Sequence, residues 1–155
     1  MQRLNMVIHS IEEISNGRLN KFSKFDKIYD FFNGKELSSD FIFTNYNEDN
    51  QYKELIGDYS NKFFVFATTG QGDLWLFDKE DQEIYYYNHD TENVSFSNFI
   101  NLDFDIYKWL IVADLFKQID NLSESDTLTE KDQETFKDMI KKIAPKLLEI
   151  FDLGI

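Results

Sequence analysis

Apolar positions along the first third of the chain recur at helical steps. Leu4, Val7, Ile8, Ile11 and Ile14 fall three and four residues apart and predict an amphipathic helix. Asn16-Gly17 stops it, with glycine free to take the left-handed conformation of a helix cap. Phe22, Phe25, Ile28, Tyr29 and Phe32 repeat the pattern, and Asn33-Gly34 ends it in the same way. An Asn-Gly pair also marks hairpin turns, but the helical spacing ahead of both pairs favours the cap.

The period then changes. Phe41 to Tyr46 reads as a strand between polar segments, and Tyr52, Leu55 and Ile56 read as a helical turn closed by Gly57. Three short apolar runs follow: Phe63 to Ala67, Leu74 to Phe77 and Ile84 to Tyr87. Thr68 to Asp73 separates the first two, and the charged turn Asp78 to Glu83 separates the last two. Runs of this length with short links predict an antiparallel meander. The first two runs lack alternation, which predicts cover on both faces, with helices as the cover.

The last third returns to helical spacing. From Asp103 to Ile119, apolar residues occupy most of the circumference, the mark of a buried helix. Asn121 to Thr129 is polar and reads as a loop. Thr129 then caps a final helix whose stripe is Phe136, Met139, Ile140, Ile143, Leu147 and Ile150. Pro145 lies inside that stripe and predicts a break near Ala144. The expected architecture is α+β: one domain over 1–155, a central antiparallel sheet and helices at both ends of the chain.

Composition narrows the function classes. The chain has 155 residues, 42% of them hydrophobic and 17% aromatic, enough apolar area to build a core. Its net charge is -13. That field repels phosphate backbones and anionic membrane surfaces, which argues against both as partners. It favours a basic protein partner and fast encounter with it, though acidic surfaces also serve plain solubility. There is no cysteine, which rules out disulfides, thiolate metal ligands and cysteine nucleophiles and fits a reducing cytoplasm. The N-terminal residues lack the pattern of a secretory signal, and no stretch reaches the ~20 apolar residues of a membrane helix. The expected location is cytoplasmic.

Catalytic chemistry has few candidates. The histidines are His9, on the presumed first helix, and His89, which precedes Asp90 just past the third apolar run. A His-Asp pair could serve as a base with its orienting carboxylate, but a locally hydrogen-bonded loop histidine is the better reading. Gly70-Gln71-Gly72-Asp73 lacks the third glycine and the Gly-Lys of a phosphate loop. Its glycines are expected to allow positive φ between two strands. Asp78 to Glu83 is rich in carboxylates without the ligand alternation of a calcium loop, so no metal and no cofactor are expected. On the three-tyrosine run, either Tyr86 alone or Tyr85 with Tyr87 should turn away from the core, unless helices cover both faces.

The middle of the chain resembles the SUKH superfamily, bacterial immunity proteins related to fungal cell-wall-assembly regulators. The resemblance covers about residues 60–100. It rests on the apolar strand ending Ala67-Thr68-Thr69, the step Gly70-Gln71-Gly72-Asp73, the strand Leu74-Trp75-Leu76-Phe77-Asp78, and the charged turn. Ile84-Tyr85-Tyr86-Tyr87-Asn88-His89-Asp90 and a helix start at Ser95-Phe96-Ser97-Asn98-Phe99-Ile100 complete it. Many members carry a Leu-Pro step before the first strands, absent here, and the helical region 103–155 lies outside the shared pattern.

The resemblance implies a non-enzymatic protein that binds and neutralises a cognate toxin, often a nuclease, inside the producing cell. An acidic inhibitor can occupy the basic surface with which a nuclease holds phosphate. The residues expected at the contact are the turn Asp78, Glu80, Asp81 and Glu83, with Asp73, Asp90 and Glu92 near it, and Tyr86. The competing readings are a regulatory or scaffolding module of the same fold, and, more remotely, a small hydrolase using His89 and carboxylates.

Overall fold

Helix α1 (Phe25–Phe32) ends where its apolar spacing ends, and Gly34 takes a φ of 71° to turn the chain. A computed structural model describes residues 25–91 and 94–151. The helix expected over Leu4 to Ile14, with its Asn16-Gly17 stop, lies outside the described residues, as does Glu92.

After Gly34 the chain forms a small hairpin, β1 (Glu36–Ser38) and β2 (Phe41–Phe43), around Ser39-Asp40. The strand expected to reach Tyr46 stops at Phe43. The Asn45 side chain accepts from the Asn47 amide while Glu48 accepts from the Asn45 amide, and this reciprocal pair opens a 3-10 turn leading into α2 (Asp49–Ile56). Gly57, with φ 59°, closes α2 as expected.

The predicted meander is present as β3 (Phe63–Thr68), β4 (Leu74–Asp78) and β5 (Ile84–Tyr87). A sixth strand, β6 (Phe99–Asn101), follows, and the sheet is antiparallel throughout in the order β1-β2-β3-β4-β5-β6. The helix start expected at Ser95 to Ile100 is instead a single 3-10 turn followed by β6. Pairing decides it: Phe99 lies opposite Tyr87 and packs edge-on against Phe63, with ring centroids 5.1 Å apart.

Helix α3 (Ile106–Glu124) starts later and runs further than its sequence pattern predicts. Asp103 sits at φ 57°, which no helical residue can adopt, and Asp105 supplies the cap by accepting from the Lys108 amide at 3.1 Å. Helix α4 (Glu130–Ile143) opens at Thr129, whose hydroxyl and backbone amide exchange hydrogen bonds with Asp132. The break at Ala144 is as expected, and Pro145 opens a final 3-10 turn.

The sheet is covered on both faces. Phe66, Trp75, Tyr86 and their neighbours pack with α1, α3 and α4. Phe63, Val65, Leu74, Leu76, Tyr85 and Tyr87 pack with Ile56 of α2 and with Phe99, edged by Tyr52, Tyr59 and Val94. Of the two readings of the tyrosine run, cover on both faces is the one found: all three rings are buried. Among the described residues no helix is long and apolar enough to cross a membrane.

Candidate protein-binding surface

The expected contact residues fall at two opposite ends of the meander. Antiparallel pairing sets Thr68 beside Leu74 and Leu74 beside Tyr87, so the β3–β4 link and the segment after β5 share one end. The β4–β5 turn lies at the other. Asp73 and Asp78 bracket β4 and stand ~17 Å apart at about 3.4 Å per residue. The expectation that Asp73 and Asp90 lie near the Asp78–Glu83 turn is therefore corrected. A strand's length separates them.

At the first end, Asp73 is the hub. It is 7% exposed and accepts hydrogen bonds from the Tyr86 hydroxyl, from the His89 amide at 2.9 Å and from His89 Nδ1. Its own amide donates to Thr69 Oγ1 at 3.0 Å, which tightens the link between β3 and β4. Gly72 takes φ 99° there, as expected of a glycine between strands. Gly70 does different work. A Cβ on it would stand 2.9 Å from the Ser39 carbonyl oxygen, so glycine lets the β3–β4 link lie against the β1–β2 turn. The Gly70 amide donates to Asp40 there at 3.3 Å.

The charges at this end are arranged as a clamp. His89 Nε2 lies 3.3 Å from Asp90 Oδ1, so each ring nitrogen faces a carboxylate. An imidazolium has a donor for each, and the Asp73 bond foremost raises the His89 pKa. Burial pushes the Asp73 carboxyl upward, but the bonds from Tyr86 and His89 together outweigh it and hold the group below its ordinary value. Burial, then the Asp73 carboxylate, pushes the Tyr86 phenol strongly up. The chemistry this arrangement supports is a charged staple between the β3–β4 link and the chain after β5.

The staple makes stability depend on pH. His89 gains a partner on folding, so its contribution is complete below the ordinary histidine pKa of ~6.5 and is lost as pH rises through the raised folded value. Asp73 contributes above the ordinary aspartate value of ~3.9, and that part is lost as pH falls through the lowered folded value. The two overlap between about pH 4 and about pH 6.5. Thermal unfolding across pH 4 to 9 should show the intact chain losing more stability above that window than His89→Gln does. Superimposable profiles would rule the staple out.

At the second end, Asp78 is wholly buried. Its Oδ1 accepts from the Glu80 amide at 2.8 Å and its Oδ2 lies 3.4 Å from Lys62 Nζ. Asp81 accepts from the Glu83 amide at 2.8 Å, and Glu83 accepts from Asn101 Nδ2 at 2.7 Å. Side chains thus build the β4–β5 turn, which needs Gln82 at φ 63°.

Solvent exposure sorts the expected contact set. Glu80, Asp81 and Asp90 are exposed and Glu83 is half-buried. Asp73, Asp78 and Tyr86, also expected at the contact, are buried, because each turns inward to satisfy polar groups at a strand end or to pack against Trp75. No family model, curated protein or solved structure matches this chain.

Some charged residues of the first end escaped the sequence reading. Asp120 near the end of α3 accepts from the Ser39 hydroxyl at 3.1 Å, and Asp40 stands close enough that Asp120 and Asp73 add to the effect of burial in raising its pKa. Nothing local signals this, since Ser39 and Asp120 are 81 residues apart in sequence. A second group, on α1, does carry a local signal. The doublets Phe25-Asp26 and Tyr29-Asp30 repeat one helical turn apart.

Proposed function

We propose that the protein is a non-enzymatic binding module whose partner is a basic protein, and that it neutralises a cognate toxin by covering that toxin's cationic surface. The observation that carries this reading is the display of charge. The chain's net -13 is carried outward by exposed carboxylates on several elements: Asp26 and Asp30 on α1, Glu80 and Asp81 in the β4–β5 turn, Asp90 after β5, and Asp103 and Asp105 ahead of α3. A field of this sign accelerates encounter with a cationic partner and discourages nucleic acid. Exposed Phe31, Tyr46, Leu55 and Phe96 supply apolar anchors beside it. The resemblance of residues 60–100 to the SUKH superfamily supports the toxin as the class of partner.

The test is recovery of bound proteins on the tagged chain from its native cell, followed by association kinetics with the purified partner. The expected result is a basic, toxin-like protein whose association slows by roughly tenfold or more between about 0.05 M and about 0.5 M salt. A partner of neutral or acidic charge, or a rate indifferent to salt, would overturn the reading.

A further inference from the structure

The repeated doublet on α1 forms one wall of an open groove. Phe25 lies flat on Phe77, with centroids 3.8 Å apart and planes 7° apart, and meets Phe64 edge-on at 6.1 Å. Tyr29 meets Phe64 edge-on at 4.9 Å and Tyr46 at 5.4 Å. Phe25, Tyr29, Phe64 and Phe77 floor a groove of about 410 Å³, with Tyr46 at its side and Asp26, Asp30, Asp49 and Lys79 on its rim. That volume lies within the roughly 300–1,000 Å³ of ligand sites.

The rim is unbalanced. Among the described residues Asp26 and Asp30 enter no ion pair, while Asp49 pairs with Lys53 at 3.1 Å. Lys79 is drawn off, its ammonium donating to the Ser60 carbonyl at 2.9 Å. The Tyr29 hydroxyl is occupied inside, bonded to Thr44. Burial first, then the charges of Asp49, Glu48 and Asp30, raise the Tyr29 pKa against the pull of the Thr44 bond, in keeping with a negative potential over the floor.

Aromatic rings beneath carboxylates that have no ion-pair partner among the described residues attract cations. A planar guanidinium can lie against a ring where a compact ammonium offers only a point charge, and two carboxylates one turn apart can share its fork of donors. We propose that this groove takes an arginine side chain of the basic partner. The proposal rests on the partner-binding reading for its biological occupant and adds the place where that partner is anchored. Tyr46, 59% exposed, then serves as the outer wall that closes over the guanidinium.

The experiment titrates N-acetyl-arginine methylamide into the isotope-labelled full chain and follows the ring resonances of Phe25, Tyr29 and Tyr46. The neutral N-acetyl-norleucine methylamide is the control. Saturable shifts confined to these rings, seen with arginine only, are expected. Asp30→Asn and Tyr46→Ala, both at exposed positions, should each weaken binding roughly three- to fivefold.

Equal shifts with both probes would make the groove merely apolar and overturn the proposal. So would shifts elsewhere, or none. Contacts between residues 1–24 and the Tyr46 ring in the free chain, or shifts that track protein concentration without probe, would name the chain itself or a second copy as occupant and overturn it too. If Asp30→Asn leaves a salt-sensitive basic partner bound with unchanged affinity, the groove fails while the partner-binding reading stands. If no basic partner exists yet arginine binds, the reverse holds.

Discussion

Trp109→Ala should lower the unfolding free energy by about 3–5 kcal/mol. Trp109, on α3, is fully buried. Its ring meets Phe66 at 4.9 Å, Phe43 at 5.1 Å, Phe41 at 5.2 Å and Trp75 at 5.9 Å, so one side chain joins α3 to β2, β3 and β4. Truncation removes its buried area and leaves a void that four rigid rings cannot collapse into. Typical domains hold only about 5–15 kcal/mol, so the loss is a large share of the total and should move the unfolding midpoint to clearly lower denaturant. Urea denaturation followed by circular dichroism measures the change, and the fluorescence of Trp75 reports on the same core. A loss below about 1 kcal/mol would mean that α3 is not docked as described.

Asp73→Ala should cost about 2–4 kcal/mol through orphaned hydrogen bonds. The Tyr86 hydroxyl, buried beneath Trp75 and Phe151, loses its acceptor, and so does the His89 amide. The loss does not come from the exposed His89 charge, which water can serve. Asp73→Asn separates the contributions, since it keeps an acceptor for Tyr86 but removes the carboxylate. It should cost less than alanine and should also flatten the pH dependence above neutrality that His89 confers. Equal stability of both variants and the native chain, measured by the same denaturation, would show that Asp73 carries no structural role. A drop in partner binding without loss of stability would instead place Asp73 at the contact surface.

These two residues differ in how far the sequence discloses them. Trp109 sits in a run apolar on most of its circumference, and burial follows from that pattern alone. Asp73 follows a glycine step and is hydrophilic, so it reads as surface. Only the pairing of Leu74 with Tyr87 brings Tyr86 and His89 to it. The same pairing explains the acidic residues expected together and found apart. In an antiparallel meander, successive links alternate between the two ends of the sheet, so Asp73 and Asp78 part company although β4 is only five residues long.

Features whose causes are local are legible in the chain alone. The end of α1 at Gly34, the close of α2 at Gly57, the Thr129 cap and the break before Pro145 all follow from backbone freedom or from a missing amide donor. The three runs of the meander follow from unbroken apolar character, and cover on both faces of the first two follows from their lack of alternation, whereas only the packed structure shows all three tyrosines of the third run buried. The tertiary structure alone decided β1 and β6. Each is three residues long, too short for a period to show, and each is a strand because a neighbour offers it a ladder. It alone turned Asp73 and Asp78 inward, because a carboxylate at a strand end goes where donors gather. It alone set Asp26 and Asp30 over a floor of rings, since Phe64 and Phe77 reach α1 from strands β3 and β4, far along the chain.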